Sequence, residues 1–221
     1  MQQNEVPLSE NYHSLQGEGL YTGTAMHIIR MAGCSVGKIV AGGPLVRHGQ
    51  PAWMCHTFDN RPFWCDTDFS KQSVDTVENL IECTWEDHIL ITGGEPLIHI
   101  PQVEEIIRQF VAARRHGMVH IETSGTIAFL KDTNCWITVS PKLGCLDEMI
   151  HRADEIKLLV DDEFHLEEVP AAILTHKNVY VQPINQISMV NRKHIQRCME
   201  LISLYPSWKL SVQLHKLLGL R

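Results

Sequence analysis

Several things the chain lacks narrow its class. No apolar run approaches the roughly 18 residues that a membrane-spanning helix requires. Lysine and arginine number 19 against 26 acidic residues, a formal charge of -7, so the basic footprint of a phosphate-backbone binder is missing. Neither nucleic acid nor a membrane is therefore expected as a partner. The first residues, MQQNEVPLSE, do not have the basic-then-apolar layout of an export signal, and the expected compartment is the cytoplasm. There is no internal repeat and no low-complexity stretch. The 13 histidines add positive charge only below their ordinary pKa of about 6.5.

What is present fits a globular protein. At 221 residues, with 44% hydrophobic and 20% charged residues, the chain is long enough to bury a core without staples and far from the composition of disorder. One domain over residues 1–221 is expected. Seven cysteines, an odd number, fit reduced thiols or metal ligands better than a disulfide framework.

Short apolar, β-branched runs read as buried strands: Met26–Met31, His88–Thr92, Met118–Glu122, Trp136–Val139, Glu155–Val160, Val179–Gln182 and Trp208–Gln213. Between them, Val74–Cys83, Val103–Arg115 and Asn191–Tyr205 carry apolar residues at helical spacing. Alternating strands and helices imply parallel pairing, but three clear helices are too few for a closed eightfold barrel. The expected fold is a partial, open parallel β/α barrel with reduced helix content. The long connection Ser35–Trp64, rich in glycine and proline and flanked by Cys34 and Cys65, is unlike an ordinary loop and points to function.

Ligands of parallel sheets collect at the carboxyl ends of the strands. Here those ends read Thr92-Gly93-Gly94-Glu95-Pro96, Glu122-Thr123-Ser124-Gly125-Thr126, Ser140-Pro141-Lys142, Gln182-Pro183-Ile184-Asn185 and Gln213-Leu214-His215-Lys216. Each alone is an ordinary turn composition; together they place hydrogen-bonding groups on one face. In the GGEP run, glycines allow close backbone approach and Glu95 can accept hydrogen bonds from an ammonium group. Cys34, Cys55 and Cys65 could together hold an iron–sulfur cubane with one iron left open. Cys83, Cys135 and Cys198 lie on or beside apolar segments and read as core residues, whereas Cys145 is unassigned.

Gln16-Gly17-Glu18-Gly19, Arg30, Gly33-Cys34, Cys65-Asp66-Thr67-Asp68, the GGEP run, Ser140-Pro141-Lys142 and His215-Lys216 together resemble the 7-carboxy-7-deazaguanine synthase family of radical S-adenosylmethionine enzymes. The resemblance spans nearly the whole chain. It implies a truncated barrel and conversion of 6-carboxy-5,6,7,8-tetrahydropterin to 7-carboxy-7-deazaguanine with release of ammonia. It also implies a 4Fe-4S cluster on Cys34, Cys55 and Cys65, S-adenosylmethionine, and Mg2+ at Thr67. In such chemistry the protein orients the cofactor and excludes water.

By the same resemblance, S-adenosylmethionine is held by Trp64, Cys65, Asp66, Gly94, Glu95, Ser140, Pro141, Lys142, Gln182, Pro183, Ile184 and Asn185. The pterin is held by Leu15, Gln16, Gly17, Arg30, Thr92, His215 and the chain end at Arg221. Arg30 suits a carboxylate because its planar fork makes two parallel bonds; the competing reading is a salt bridge at the barrel rim. His215 can equally be a core histidine. An external electron donor such as a flavodoxin and a homodimer complete the implied partners.

One departure stands out. Many family members space their cysteines as C-x3-C-x2-C; here Pro62 occupies the middle position, 20 residues separate Cys34 from Cys55, and nine separate Cys55 from Cys65. Cys55 is chosen because it is the only other cysteine between Cys34 and Cys65. Two other readings stay open: a different radical enzyme, such as a glycyl-radical activating enzyme, and a zinc-binding structural module.

Overall fold

The apolar runs of the sequence become the strands of one large sheet. The computed structural model describes residues 4–40, 42–45, 49, 52–113, 116–131, 133–185 and 190–219. Its elements are β1 (Glu5–Leu15), β2 (Ala25–Met31), β3 (Lys38–Ile39), β4 (Trp53–His56), β5 (Pro62–Cys65), β6 (Ser73–Thr76), α1 (Val77–Glu82), β7 (His88–Gly93), α2 (Ile100–Ala113), β8 (Met118–Thr123), β9 (Cys135–Val139), α3 (Asp147–Arg152), β10 (Glu155–Val160), α4 (Ala171–Leu174), β11 (Val179–Pro183), α5 (Arg192–Leu204), β12 (Lys209–Leu210) and α6 (Leu214–Leu218).

The main sheet runs β12-β11-β10-β9-β8-β7-β2-β1-β6. From β2 to β12 every pairing is parallel; β1 and β6 add an antiparallel edge. Among the described residues no pairing joins β6 to β12, so the barrel is partial and open.

Alternation along the strands decides what each face does. One set of positions, including Ile29, Ile89, Ile91, Val119, Ile121, Ile137 and Leu158, packs into a core cluster that includes Val103, Ile106, Ile107 and Phe110 of α2. The other set carries Arg30, Thr92, Glu122, Lys157 and Gln182, which line a cavity. The helices thus cover an apolar face, and the opposite face is left polar for a ligand.

The structure departs from the sequence reading in definite places. The expected helix Val74–Cys83 begins only at Val77, because residues 73–76 pair with β1 as β6. The expected strand Trp208–Gln213 is reduced to Lys209–Leu210: Leu214 N donates instead to Gly17 O at 2.9 Å, which turns the chain across the cavity mouth. β1 was not visible in the sequence, since one of its faces looks into the polar cavity. The connection Ser35–Trp64 holds an antiparallel sheet, β3-β4-β5, and α3, α4 and α6 are short helices beyond the three expected. Cys83 is exposed rather than buried, and Cys135 is only partly buried; Cys198 is in the core.

Candidate active site

A cavity of about 640 Å³ opens at the carboxyl ends of β2, β7, β8, β9 and β11. Cys34, Cys55 and Cys65 line it, and the other four cysteines do not. The β4–β5 hairpin explains the unusual spacing. Cys55 pairs with Phe63 and Trp53 pairs with Cys65, so Cys55 and Cys65 lie two residues apart along one face of the hairpin. Folding the chain back on itself supplies the proximity that a short cysteine motif supplies by sequence.

Burial pushes the Cys65 thiol up to about 12, with Asp66 adding to the effect and Thr67 opposing it. Burial also raises Cys55, against the pull of Lys142. Such thiols hold their protons at neutral pH until a metal supplies compensating charge. Three thiols lining one cavity, with the Lys142 ammonium near Cys55, are a donor set that fits an iron–sulfur cluster.

The GGEP turn is fastened to the loop that carries Cys34. Glu95 N donates to Gly33 O at 3.1 Å, and a Cβ at Gly94 would sit 2.3 Å from Gly33 O and 2.6 Å from Cys34 Cβ. Only glycine permits that approach. Glu95 itself is buried and accepts from Leu97 N at 3.1 Å, Thr123 Oγ1 at 2.8 Å and Ser124 N at 2.8 Å. Its carboxylate therefore ties the end of β7 to the end of β8 and does not line the cavity.

The remaining expected cofactor residues divide. Asp66, Gly94, Ser140, Lys142 and Gln182 line the cavity. Lys142 Nζ donates to Ser140 Oγ at 2.8 Å and to Ser140 O at 2.9 Å, and burial lowers its pKa. Trp64, Pro141, Pro183, Ile184 and Asn185 are not on the cavity wall. Trp64 packs beside Gly43, Ile184 O accepts from His194 Nδ1, and Asn185 Nδ2 donates to Gln213 Oε1 at 3.0 Å.

At the other end, Leu15, Gln16, Gly17, Arg30, Thr92 and His215 all line the cavity, while Arg221 lies outside the described residues. Arg30 Nε donates to Glu10 Oε2 at 2.9 Å; Tyr12 and Glu10 raise its pKa against the effect of burial. The rim salt bridge is thus present, and the guanidinium still borders the cavity. Gln16 Nε2 and Thr92 Oγ1 donate to the two Glu122 oxygens at 3.2 and 3.1 Å. Lys157 pairs with Glu18 and stands 3.6 Å from Glu122. Burial alone would raise the Glu122 carboxyl, but Lys157, Gln16, Arg30 and Thr92 hold it below its ordinary range. Lys216 pairs with Asp66, to which Gln213 Nε2 also donates at 3.3 Å.

Thr67 lies on the cavity wall beside Asp68, whose Oδ2 is buried with no hydrogen-bond partner. A hydroxyl and an orphaned carboxylate oxygen are hard donors, a set that fits Mg2+ completed by water and substrate oxygens. The sequence reading missed Glu10, Tyr12, Glu18, Lys157 and Asp68 as cavity residues. A signal for Lys157 was available: a lysine inside the apolar strand EIKLLV must have a buried partner.

No family model matches the chain. It is similar to 7-carboxy-7-deazaguanine synthase of Buchnera aphidicola subsp. Schizaphis graminum, with 31% identity over 97% of this chain and 99% of the relative. The synthase of Escherichia coli strain K12 is 28% identical over 98% of this chain and 99% of its own. The crystal structure of QueE from Escherichia coli superposes with a TM-score of 0.64 and 28% identity, covering 96% of this chain and 95% of that one. Full-length similarity at this level, on a shared open barrel, shows that the chain belongs to the 7-carboxy-7-deazaguanine synthase family.

Proposed function

We propose that the chain converts 6-carboxy-5,6,7,8-tetrahydropterin to 7-carboxy-7-deazaguanine with release of ammonia, a radical S-adenosylmethionine reaction of deazapurine biosynthesis. The observation that carries this is one cavity lined both by three cysteine thiols and by a web of carboxylates, amide, guanidinium and hydroxyl. Cys34, Cys55 and Cys65 would hold the 4Fe-4S cluster, which when bound supplies the electron for reductive cleavage of the S-adenosylmethionine sulfonium. Thr67, with Asp68 nearby, would hold Mg2+.

The chain's own residues bind and orient. Gly94 lets its turn pack against Gly33 and Cys34 and itself lines the cavity, where its backbone can meet S-adenosylmethionine; Ser140 and Lys142 present polar atoms to the same cavity. Arg30 offers the NH groups of its fork to the pterin carboxylate. Glu122, fixed by Gln16, Thr92 and Lys157, offers an ionised acceptor to ring and amino N–H groups. His215 closes the mouth above Gly17. Holding the reactants in such a preset polar frame is the protein's part in the rate.

The reading extends to a single domain over residues 1–221, supported by one nine-stranded main sheet and one dominant core cluster. It also takes an external electron donor such as a flavodoxin and a homodimer as partners, by likeness to the family. No helix among the described residues is long and apolar enough to cross a membrane. The test is anaerobic reconstitution with iron and sulfide followed by incubation with the carboxypterin, S-adenosylmethionine, Mg2+ and dithionite. Formation of deazaguanine product without stoichiometric 5'-deoxyadenosine is expected, because loss of ammonia from the carboxypterin is redox-neutral and any hydrogen taken from it must be given back. Cleavage of S-adenosylmethionine with no deazaguanine would instead indicate another radical enzyme, and zinc without iron or sulfide would indicate a structural metal module.

A further inference from the structure

A second concentration of metal-binding atoms lies away from the cavity, on the outer face of the β1–β2 pair. His13 and His27 are direct partners in the antiparallel register, so both rings project from the same face. Cys83, at the C-terminal end of α1, brings its sulfur to that face. One nitrogen of each imidazole and the Cys83 Sγ lie within 4.8 Å of one another.

The surroundings engage the Nδ1 atom of each ring, as the partners of metal-ligating histidines do. His13 Nδ1 meets both Glu86 carboxylate oxygens, at 2.8 and 3.0 Å; a ring that gives its Nδ1 proton to a carboxylate keeps its lone pair on Nε2. His27 Nδ1 lies 2.6 Å from Thr84 Oγ1, and that hydroxyl donates to Leu80 O at 2.7 Å. The hydroxyl therefore accepts from Nδ1, and the neutral ring keeps its lone pair on Nε2; that atom faces Asn11 Oδ1, so the Asn11 amide must turn over or move off before Nε2 can bind a metal. Trp85 stacks on the far side of His13 with ring centroids 3.6 Å apart.

We propose that His13, His27 and Cys83 form a binding site for a transition-metal cation of the zinc class, distinct from the cavity thiols. Two imidazoles and a thiolate are a borderline-soft donor set that selects zinc and its neighbours over Mg2+ or Ca2+, which take oxygen ligands. Cys83 is exposed, so solvent can enter and water can fill the fourth position. The rings now stack 4.5 Å apart with an interplanar angle of 17°; seating an ion requires His13 to turn toward His27 and the Asn11 amide to swing aside. The bound ion would clip the α1–β7 connection to the edge of the sheet.

The test uses the full-length chain with its iron–sulfur cluster reconstituted, freed of loose metal by a mild chelator and then given a slight excess of zinc chloride. The expected result is one retained zinc per chain, a zinc K-edge spectrum showing nitrogen scatterers with a single sulfur, and altered Trp85 emission that a Trp85→Phe control lacks. Cys83→Ser and His13→Ala should each weaken zinc retention at least tenfold while iron content and turnover stay at parent levels. Because Cys83 is exposed and His13 only partly buried, these variants should fold. The proposal is overturned if no zinc is retained, if the ligand shell is all sulfur, or if a variant carrying both Cys83→Ser and His13→Ala holds as much zinc as the parent.

Discussion

Lys157 on β10 and Glu122 on β8 meet inside the cavity, with 3.6 Å between Nζ and the nearer carboxylate oxygen. The two strands are separated in the sheet by β9, so the pair spans the cavity floor. It fixes an ionised acceptor beside Gln16 and Thr92, at the end of the cavity proposed for the pterin. Glu122→Gln keeps the shape but removes the charge, and Lys157 keeps Glu18 as a partner. Losing a charge-assisted contact of about 1.5–3 kcal/mol should lower kcat/KM for the pterin by roughly ten- to hundredfold. Cluster absorption and S-adenosylmethionine binding should stay at wild-type values. Steady-state kinetics beside a binding titration check this, and an unchanged kcat/KM would remove Glu122 from the site.

The hairpin geometry separates Cys55 from Cys145 as cluster ligands. Cys55 faces the cavity from β4, whereas Cys145 lies off its wall beside Gly125. Cys55→Ser should abolish the visible absorption of the reconstituted cluster and all turnover, and Cys145→Ser should leave both intact. Retention of a normal four-iron signal by Cys55→Ser would refute the assignment.

At Gly94 the added methyl of an alanine would meet the Gly33 carbonyl at 2.3 Å and Phe69 at 2.9 Å. A backbone carbonyl cannot rotate away as a side-chain tip can, so the Cys34 loop itself must move. Gly94→Ala is therefore expected to lose both cluster iron and S-adenosylmethionine affinity, at least tenfold in the latter, with the global fold kept. Iron analysis and circular dichroism together distinguish this from simple unfolding.

How much of this was legible in the sequence depends on whether a residue's environment is local. The parallel strands were readable because their outward positions are apolar: Ile89, Ile91, Val119 and Ile121 announce a helix-covered face. The strand ends were readable because glycine and proline mark them. β1 was not, since Glu10, Tyr12 and Leu15 serve the cavity, so its inward face interrupts the apolar pattern. Glu95 invited a ligand role because its neighbours Gly93 and Gly94 suggested one; its true partners, Thr123 and Ser124, lie 28 and 29 residues away. The proximity of Cys55 to Cys65 rests on hairpin register, which spacing alone does not encode. The His13–His27 pairing is hidden for the same reason.

Two buried histidines set the pH response of stability. Burial, assisted by His88, lowers His120 to about 3, and burial, assisted by His13, lowers His27 to about 4. Both are neutral when folded and titrate near 6.5 when unfolded. Above that value neither affects stability. As pH falls below it the unfolded chain takes up protons that the folded chain refuses, so stability declines until the folded pKa is reached. Asp66 and Glu122 have lowered values; their stabilisation is present above the ordinary carboxylate pKa of about 4 and is lost only below it. Over the interval from about pH 7 to about pH 5 the lowered histidines dominate, with the buried Glu155 carboxyl, raised by burial, working in the opposite direction, and His120 alone should forfeit about 2 kcal/mol across it. Urea midpoints measured with a chelator present should fall over that interval, and His120→Gln, which cannot titrate, should flatten the decline. A parent midpoint that holds constant would mean that these rings accept protons while folded.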